Sequence, residues 1–68
     1  MYTLTVTTHT GYKKEMRIIE TDYMLWCFKV FIQATDAHHI IVIDSITGEI
    51  CWEWEDGEYL IANGAVLR

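Results

Sequence analysis

Residues 40–61, IIVIDSITGEICWEWEDGEYLI, carry two turn signals between three runs of β-branched and aromatic residues. Ser45–Gly48 reads as a hairpin loop. Asp56-Gly57 reads as a type I′ turn, which needs positive φ at both central positions. The first loop sets Ile43 opposite Ile50 and Ile41 opposite Trp52. The second sets Trp54 opposite Tyr59 and Trp52 opposite Ile61. Both then place Ile41, Ile43, Ile50, Trp52, Trp54, Tyr59 and Ile61 on one face. Three antiparallel strands with one strongly apolar face must bury it against another layer.

The first half of the chain supplies that layer. MYTLTVTTHT alternates, with Tyr2, Leu4 and Val6 on one side and Thr3, Thr5 and Thr7 on the other, as in a half-buried strand. A three-residue loop ending at Gly11 sets Val6 opposite Lys14, Leu4 opposite Met16 and Tyr2 opposite Ile18. Residues 21–36 place Asp22, Lys29, Gln33 and Asp36 on one narrow arc of a helical wheel. Tyr23, Met24, Cys27, Phe28, Val30, Phe31 and Ala34 fill the opposite side. This predicts a helix capped by Thr21 or Asp22, with Leu25 and Trp26 at the flanks of its apolar arc. ANGAVLR turns at Asn63-Gly64 and adds at most a short edge. The fold class is therefore α+β. The order is β-β-α-β-β-β, with an antiparallel sheet of four to five strands and one helix packed on one face. Residues 1–68 form a single domain.

The formal net charge is −5, and its placement is uneven. Over residues 1–43, Lys13, Lys14, Arg17 and Lys29 balance Glu15, Glu20, Asp22 and Asp36. Asp44, Glu49, Glu53, Glu55, Asp56 and Glu58 then follow without a single Lys or Arg before Arg68. Direct nucleic-acid binding needs a basic patch and is not expected; a basic partner is. The chain has no basic-then-apolar leader and no apolar run of about 18–20 residues. A cytoplasmic protein with no membrane segment is expected. Cys27 and Cys51 are too few for a disulfide framework and are expected to be free thiols.

The chemistry-bearing residues do not form a recognised site. His9, His38 and His39 are the histidines, and neighbours on a regular strand point to opposite faces. His38 and His39 therefore should not share an ion, and no metal-ligand spacing is present. Gly11, Gly48, Gly57 and Gly64 all fall in turns, which leaves no phosphate loop. Cys27 sits on the apolar helix face and Cys51 among carboxylates, both poor settings for a thiolate. No catalytic residue, cofactor or metal site is expected, and the protein reads as non-enzymatic.

The acidic segment is the candidate for contact. Glu49, Cys51, Glu53 and Glu55 alternate with the tryptophans. They are expected as a line on the open sheet face, about 6.6–6.8 Å apart, ended by Asp56 and Glu58. The same registers set Asp44 against Glu49 and Glu55 against Glu58, which disfavours a purely solvated role. The proposed partner-binding residues are Glu49, Glu53, Glu55, Asp56 and Glu58. The alternative is a structural homodimer through Ile19, Ile40, Val42 and Leu60 on the open face, or through Leu25 and Trp26 on the helix flank.

The hairpin pattern D-x-x-T-G-E-aliphatic-x-W falls on Asp44, Thr47, Gly48, Glu49, Ile50 and Trp52. With the preceding hairpin and helix, it resembles small ββαββ proteins of phages and mobile elements, some of which are anti-CRISPR-type inhibitors. The resemblance covers roughly residues 2–54 and carries no catalytic residue. It implies an inhibitor or adaptor rather than an enzyme; the acidic line points to a basic, nucleic-acid-binding surface on a host protein as the partner.

Overall fold

In the computed structural model, which describes every residue except Thr35 and Arg68, β1 (Tyr2–Thr8) lies inside an antiparallel sheet, paired on both sides. One neighbour is β2 (Lys13–Ile18) and the other is β3 (Ala37–Asp44). β2 and β3 each run antiparallel to β1, so they are parallel to one another. The chain must cross the sheet between them, and α1 (Thr21–Ile32) makes that crossing. β4 (Ile50–Glu55), β5 (Glu58–Ala62) and β6 (Ala65–Val66) then add outward in order, giving β2-β1-β3-β4-β5-β6. The α+β class and the element order are as expected. The sheet has six strands rather than four or five, because Asn63-Gly64 turns tightly enough for Ala62 to pair with Ala65. No helix among the described residues is long and apolar enough to cross a membrane.

The first hairpin has the predicted register: Val6 opposite Lys14, Leu4 opposite Met16 and Tyr2 opposite Ile18. Its loop is closed by the Gly11 amide donating to the Thr8 carbonyl (3.0 Å) and the Tyr12 amide donating to Thr8 Oγ1 (3.1 Å). Gly11 has φ 88°, a conformation that costs a residue with a Cβ.

The helix is present but ends at Ile32, short of the predicted residue 36; Thr35 of that prediction lies outside the described residues. The N-cap is Glu20, not Thr21 or Asp22, and it makes no side-chain capping bond. The Thr21 hydroxyl is engaged instead with Tyr2 Oη at 2.9 Å. Met24, Cys27 and Phe28 form the buried stripe, and Leu25, Phe31 and Ile32 pack beside it. Tyr23 and Val30, placed on the apolar arc by the wheel, are exposed. A helix lying on one sheet buries only a narrow stripe, and this arc is wider than the sheet beneath it.

Cross-strand rows on the helix side read Met16–Leu4–Val42–Trp52 and Lys14–Val6–Ile40–Trp54–Tyr59. Leu4, Ile40 and Val42 are 0 % exposed. Phe28 meets Trp52 at a centroid distance of 5.4 Å and Tyr59 at 6.1 Å, so the aromatic side chains close the core over β4 and β5. Trp52 and Trp54 thus face the helix as predicted. β3 does not: Ile40 and Val42 face the core, and Ile41 and Ile43 face away.

Two bulges explain the difference. Ile43 does pair with Ile50, but Val42 pairs with Trp52, which leaves Cys51 unpaired. Trp54 pairs with Tyr59, but Glu53 pairs with Ile61, which leaves Leu60 unpaired. Each extra residue slips the register by one and exchanges faces on one strand. Ile50 and Ile61 accordingly sit on the face opposite the indoles.

Urea unfolding should separate the two faces of β3. Ile40→Ala is expected to cost about 2–5 kcal/mol, and Ile41→Ala clearly less, since Ile41 is only half-buried. Equal losses would contradict the register.

Candidate functional site

The sheet face away from the helix is built from three rows. They read Arg17–Thr3–Ile43–Ile50, then Glu15–Thr5–Ile41–Glu53–Ile61, then Lys13–Thr7–His39–Glu55–Glu58. Four half-buried isoleucines, Ile41, Ile43, Ile50 and Ile61, therefore lie beside the carboxylates of Glu53, Glu55 and Glu58. Among the described residues no element covers this face.

Of the predicted acidic line, Glu53, Glu55 and Glu58 come together, with Glu55 directly opposite Glu58 as predicted. Glu49 does not join them. It sits in the β3–β4 turn, before the bulge at Cys51, about four strand residues or ~14 Å from Glu53. Asp56 has φ 46° in the β4–β5 turn and lies at the end of the sheet rather than on its face. The other like-charge contact, Asp44 with Glu49, is relieved locally. Asp44 Oδ1 accepts the amides of Ile46 (2.9 Å) and Thr47 (3.3 Å), and Thr47 Oγ1 accepts the amide of Glu49 (3.2 Å). Asp44, Thr47, Gly48 and Glu49, which carry the resemblance to phage proteins, are thus accounted for by turn chemistry.

Three histidines meet this acid, and their pairing was not legible in the sequence. His39 Nε2 lies 2.8 Å from Glu53 Oε2, a side chain only 22 % exposed. His38 Nδ1 lies 2.9 Å from Asp56 Oδ2, and its Nε2 lies 3.8 Å from Glu55 Oε2. His9 Nε2 lies 3.3 Å from Asp56 Oδ1, and the His9 and His38 rings are 5.0 Å apart. His38 is the extra residue of a third bulge: Thr7 pairs with His39 and Thr8 with Ala37. The rule that neighbouring strand residues point to opposite faces does not hold across a bulge. The contact with Asp56 is the largest cause raising the His38 pKa above the ordinary histidine value. Desolvation works against it, and the charges of Asp56 and Glu55 add to it. His9, His38 and Asp56 place ligand-capable atoms within 4.8 Å of one another, so these three residues could hold a metal ion. The signal that could have found them is spatial: β1, β3 and β4 are neighbours, and the end of β1, the start of β3 and the end of β4 lie on the same side.

The predicted self-association residues are split. Ile40 and Val42 are core and unavailable, for the register reason given above. Leu60 is the half-buried bulge residue of β5, and Leu25 packs against the core. Only Ile19 (76 % exposed) and Trp26 (59 %) are freely accessible. Trp26 stacks on Tyr23 with ring centroids 5.9 Å apart.

Cys27 and Cys51 are both free. No family model, curated protein or solved structure gives a significant match to this chain.

Burial, followed by the charges of Asp44 and Glu49, raises the Cys51 thiol above its ordinary pKa. Iodoacetamide at pH 8 should therefore alkylate Cys51 more slowly than a free thiol such as glutathione, and buried Cys27 more slowly still. Rapid modification of Cys51 would show that its environment is not the one described.

Proposed function

We propose that this protein is a non-enzymatic interaction module that binds a basic segment of another protein through the open face of its sheet. The observation that carries this reading is the grouping of Glu53, Glu55 and Glu58 with Ile41 and Ile61 on a face that no element covers among the described residues. Isoleucines bordered by carboxylates on the β4–β5 side of this face suit a segment carrying aliphatic and Lys/Arg side chains. The net charge of −5 steers such a partner toward this half of the molecule. Glu55 and Glu58 are the residues assigned to direct contact. Glu53 lies between Ile41 and Ile61 in the middle row and is held by His39. A basic, nucleic-acid-binding host protein is the partner class such a surface suits.

A second reading, a homodimer, is favoured by a different surface. Tyr23, Trp26 and Val30 recur at three- and four-residue spacing along one side of the helix, Ile19 lies just before its N-cap, and all four are exposed. A second copy would bury the stacked Tyr23 and Trp26, residue types that anchor interfaces.

Titration with a fluorescent Lys/Arg-rich peptide and an uncharged control tests the first reading. Wild type should prefer the basic peptide and weaken as salt rises. Glu55→Lys/Glu58→Lys should bind at least about tenfold less tightly while keeping its circular dichroism. Equal binding by wild type and variant would overturn the assignment. Light scattering tests the second: a dimer mass that Trp26→Glu converts to monomer is expected from it, and a monomer at high concentration excludes it.

A further inference from the structure

We propose that His9, His38 and Asp56 form a binding site for a divalent transition-metal ion of the zinc type. The three residues come from three neighbouring strands at one end of the sheet: the β1–β2 loop, the bulge of β3 and the β4–β5 turn. Backbone hydrogen bonds hold the segments together independently of any ion. The His9 amide donates to the Asp36 carbonyl (3.0 Å), and the Asp56 amide donates to the His38 carbonyl (2.9 Å). Two ligand positions are thereby placed by the sheet itself.

The side-chain geometry favours an ion over a simple ion pair. His38 Nδ1 is buried and has no aligned hydrogen-bond partner, although Asp56 Oδ2 is 2.9 Å away. So close an approach without an aligned hydrogen bond suits two ligands of a common ion. His38 Nδ1 is 2.9 Å from Asp56 Oδ2 and His9 Nε2 is 3.3 Å from Asp56 Oδ1, at or just below the spacing of about 3.3 Å between ligands on a tetrahedral ion with bonds of ~2.0–2.1 Å. All three ligand atoms lie within 4.8 Å, and the half-exposed His9 ring is free to close the remainder. With Nδ1 on the ion, His38 Nε2 carries the proton and faces Glu55 Oε2 at 3.8 Å. A carboxylate behind a ligating imidazole is the usual outer support of such a site.

Ligand type narrows the ion. Two imidazoles disfavour magnesium and calcium, which take oxygen ligands, and favour zinc, copper, nickel or cobalt. Three protein ligands leave a fourth position on the solvent side. An ion there would staple the β1–β2 loop to the β4–β5 turn, a useful addition to a chain with so small a core. None of the three ligands is an open-face contact residue, and Glu55 enters only as the carboxylate behind His38, so the site is tested by its own ligand variants apart from the interaction reading.

Isothermal titration with Zn²⁺ at pH 7.5, and absorption spectra with Co²⁺, test the site on the full chain. The variants are His9→Gln, His38→Gln and Asp56→Asn, with His39→Gln as control. Asparagine tolerates the positive φ at Asp56, and all three positions are at least partly exposed, so folding should be retained. Wild type and His39→Gln should each bind one ion, with the visible bands of low-coordinate cobalt and a raised Tm. Each ligand variant should bind at least about tenfold more weakly. Absence of one-to-one binding in wild type would overturn the proposal. So would undiminished binding in His38→Gln and Asp56→Asn, or an equal loss in His39→Gln.

Discussion

The pairing of β1 on both of its edges is the constraint on which the rest of the structure depends. β1 alternates cleanly, Leu4 and Val6 against Thr3, Thr5 and Thr7, so only one of its faces can lie under a helix. β3 cannot choose for itself, because Ile40, Ile41, Val42 and Ile43 are apolar on both faces. Its register against β1 chooses for it, setting Val42 beside Leu4 and Ile40 beside Val6. The helix then covers the single face on which Leu4, Val6, Ile40 and Val42 coincide. The isoleucines left over become the open face.

Each of the three bulges reconciles this frame with a sequence that would otherwise conflict with it. Without the extra residue at Cys51, Trp52 would lie beside Ile41 and the β4 indoles would be forced away from the helix. With it, Trp52 and Trp54 reach Val42, Ile40 and Phe28, and the interleaved glutamates stay outside. Leu60 gives the same freedom to β5, keeping Tyr59 in the aromatic cluster while Ile61 turns out. The bulge at His38 lies where β3 begins, next to the end of β1, and directs an imidazole toward the β4–β5 turn. Bulges commonly sit beside functional sites because they re-aim a side chain without disturbing the strand beyond.

The acid-rich segment is less uniform than its composition suggests. Asp44 is occupied by turn amides, Glu53 by His39, and Asp56 by His9 and His38. Glu49 stands apart in the β3–β4 turn, and Glu55, 3.8 Å from His38 Nε2, faces Glu58 across β4 and β5. Like charges placed directly opposite are unfavourable in isolation. Among the described residues nothing covers the isoleucines beside them, which is the feature the proposed partner would account for.

The sequence by itself determined the α+β class, the element order, the first hairpin and the inward-facing tryptophans. These depend on local turn chemistry and on periodicities of 2 and 3.6, both carried by residues close in the chain. Asp44, Thr47 and Gly48 announce their turn, and Tyr2, Leu4 and Val6 announce their face. Only the tertiary structure decided which side of β3 is buried, where the three bulges fall, and that His9, His38 and Asp56 share one corner. A strand apolar on both sides contains no preference of its own, and a bulge adds one residue without any marker in composition. The histidine–aspartate corner joins positions 9, 38 and 56. Their proximity exists only after β1, β3 and β4 have paired, because it is a property of strand order and not of spacing along the chain.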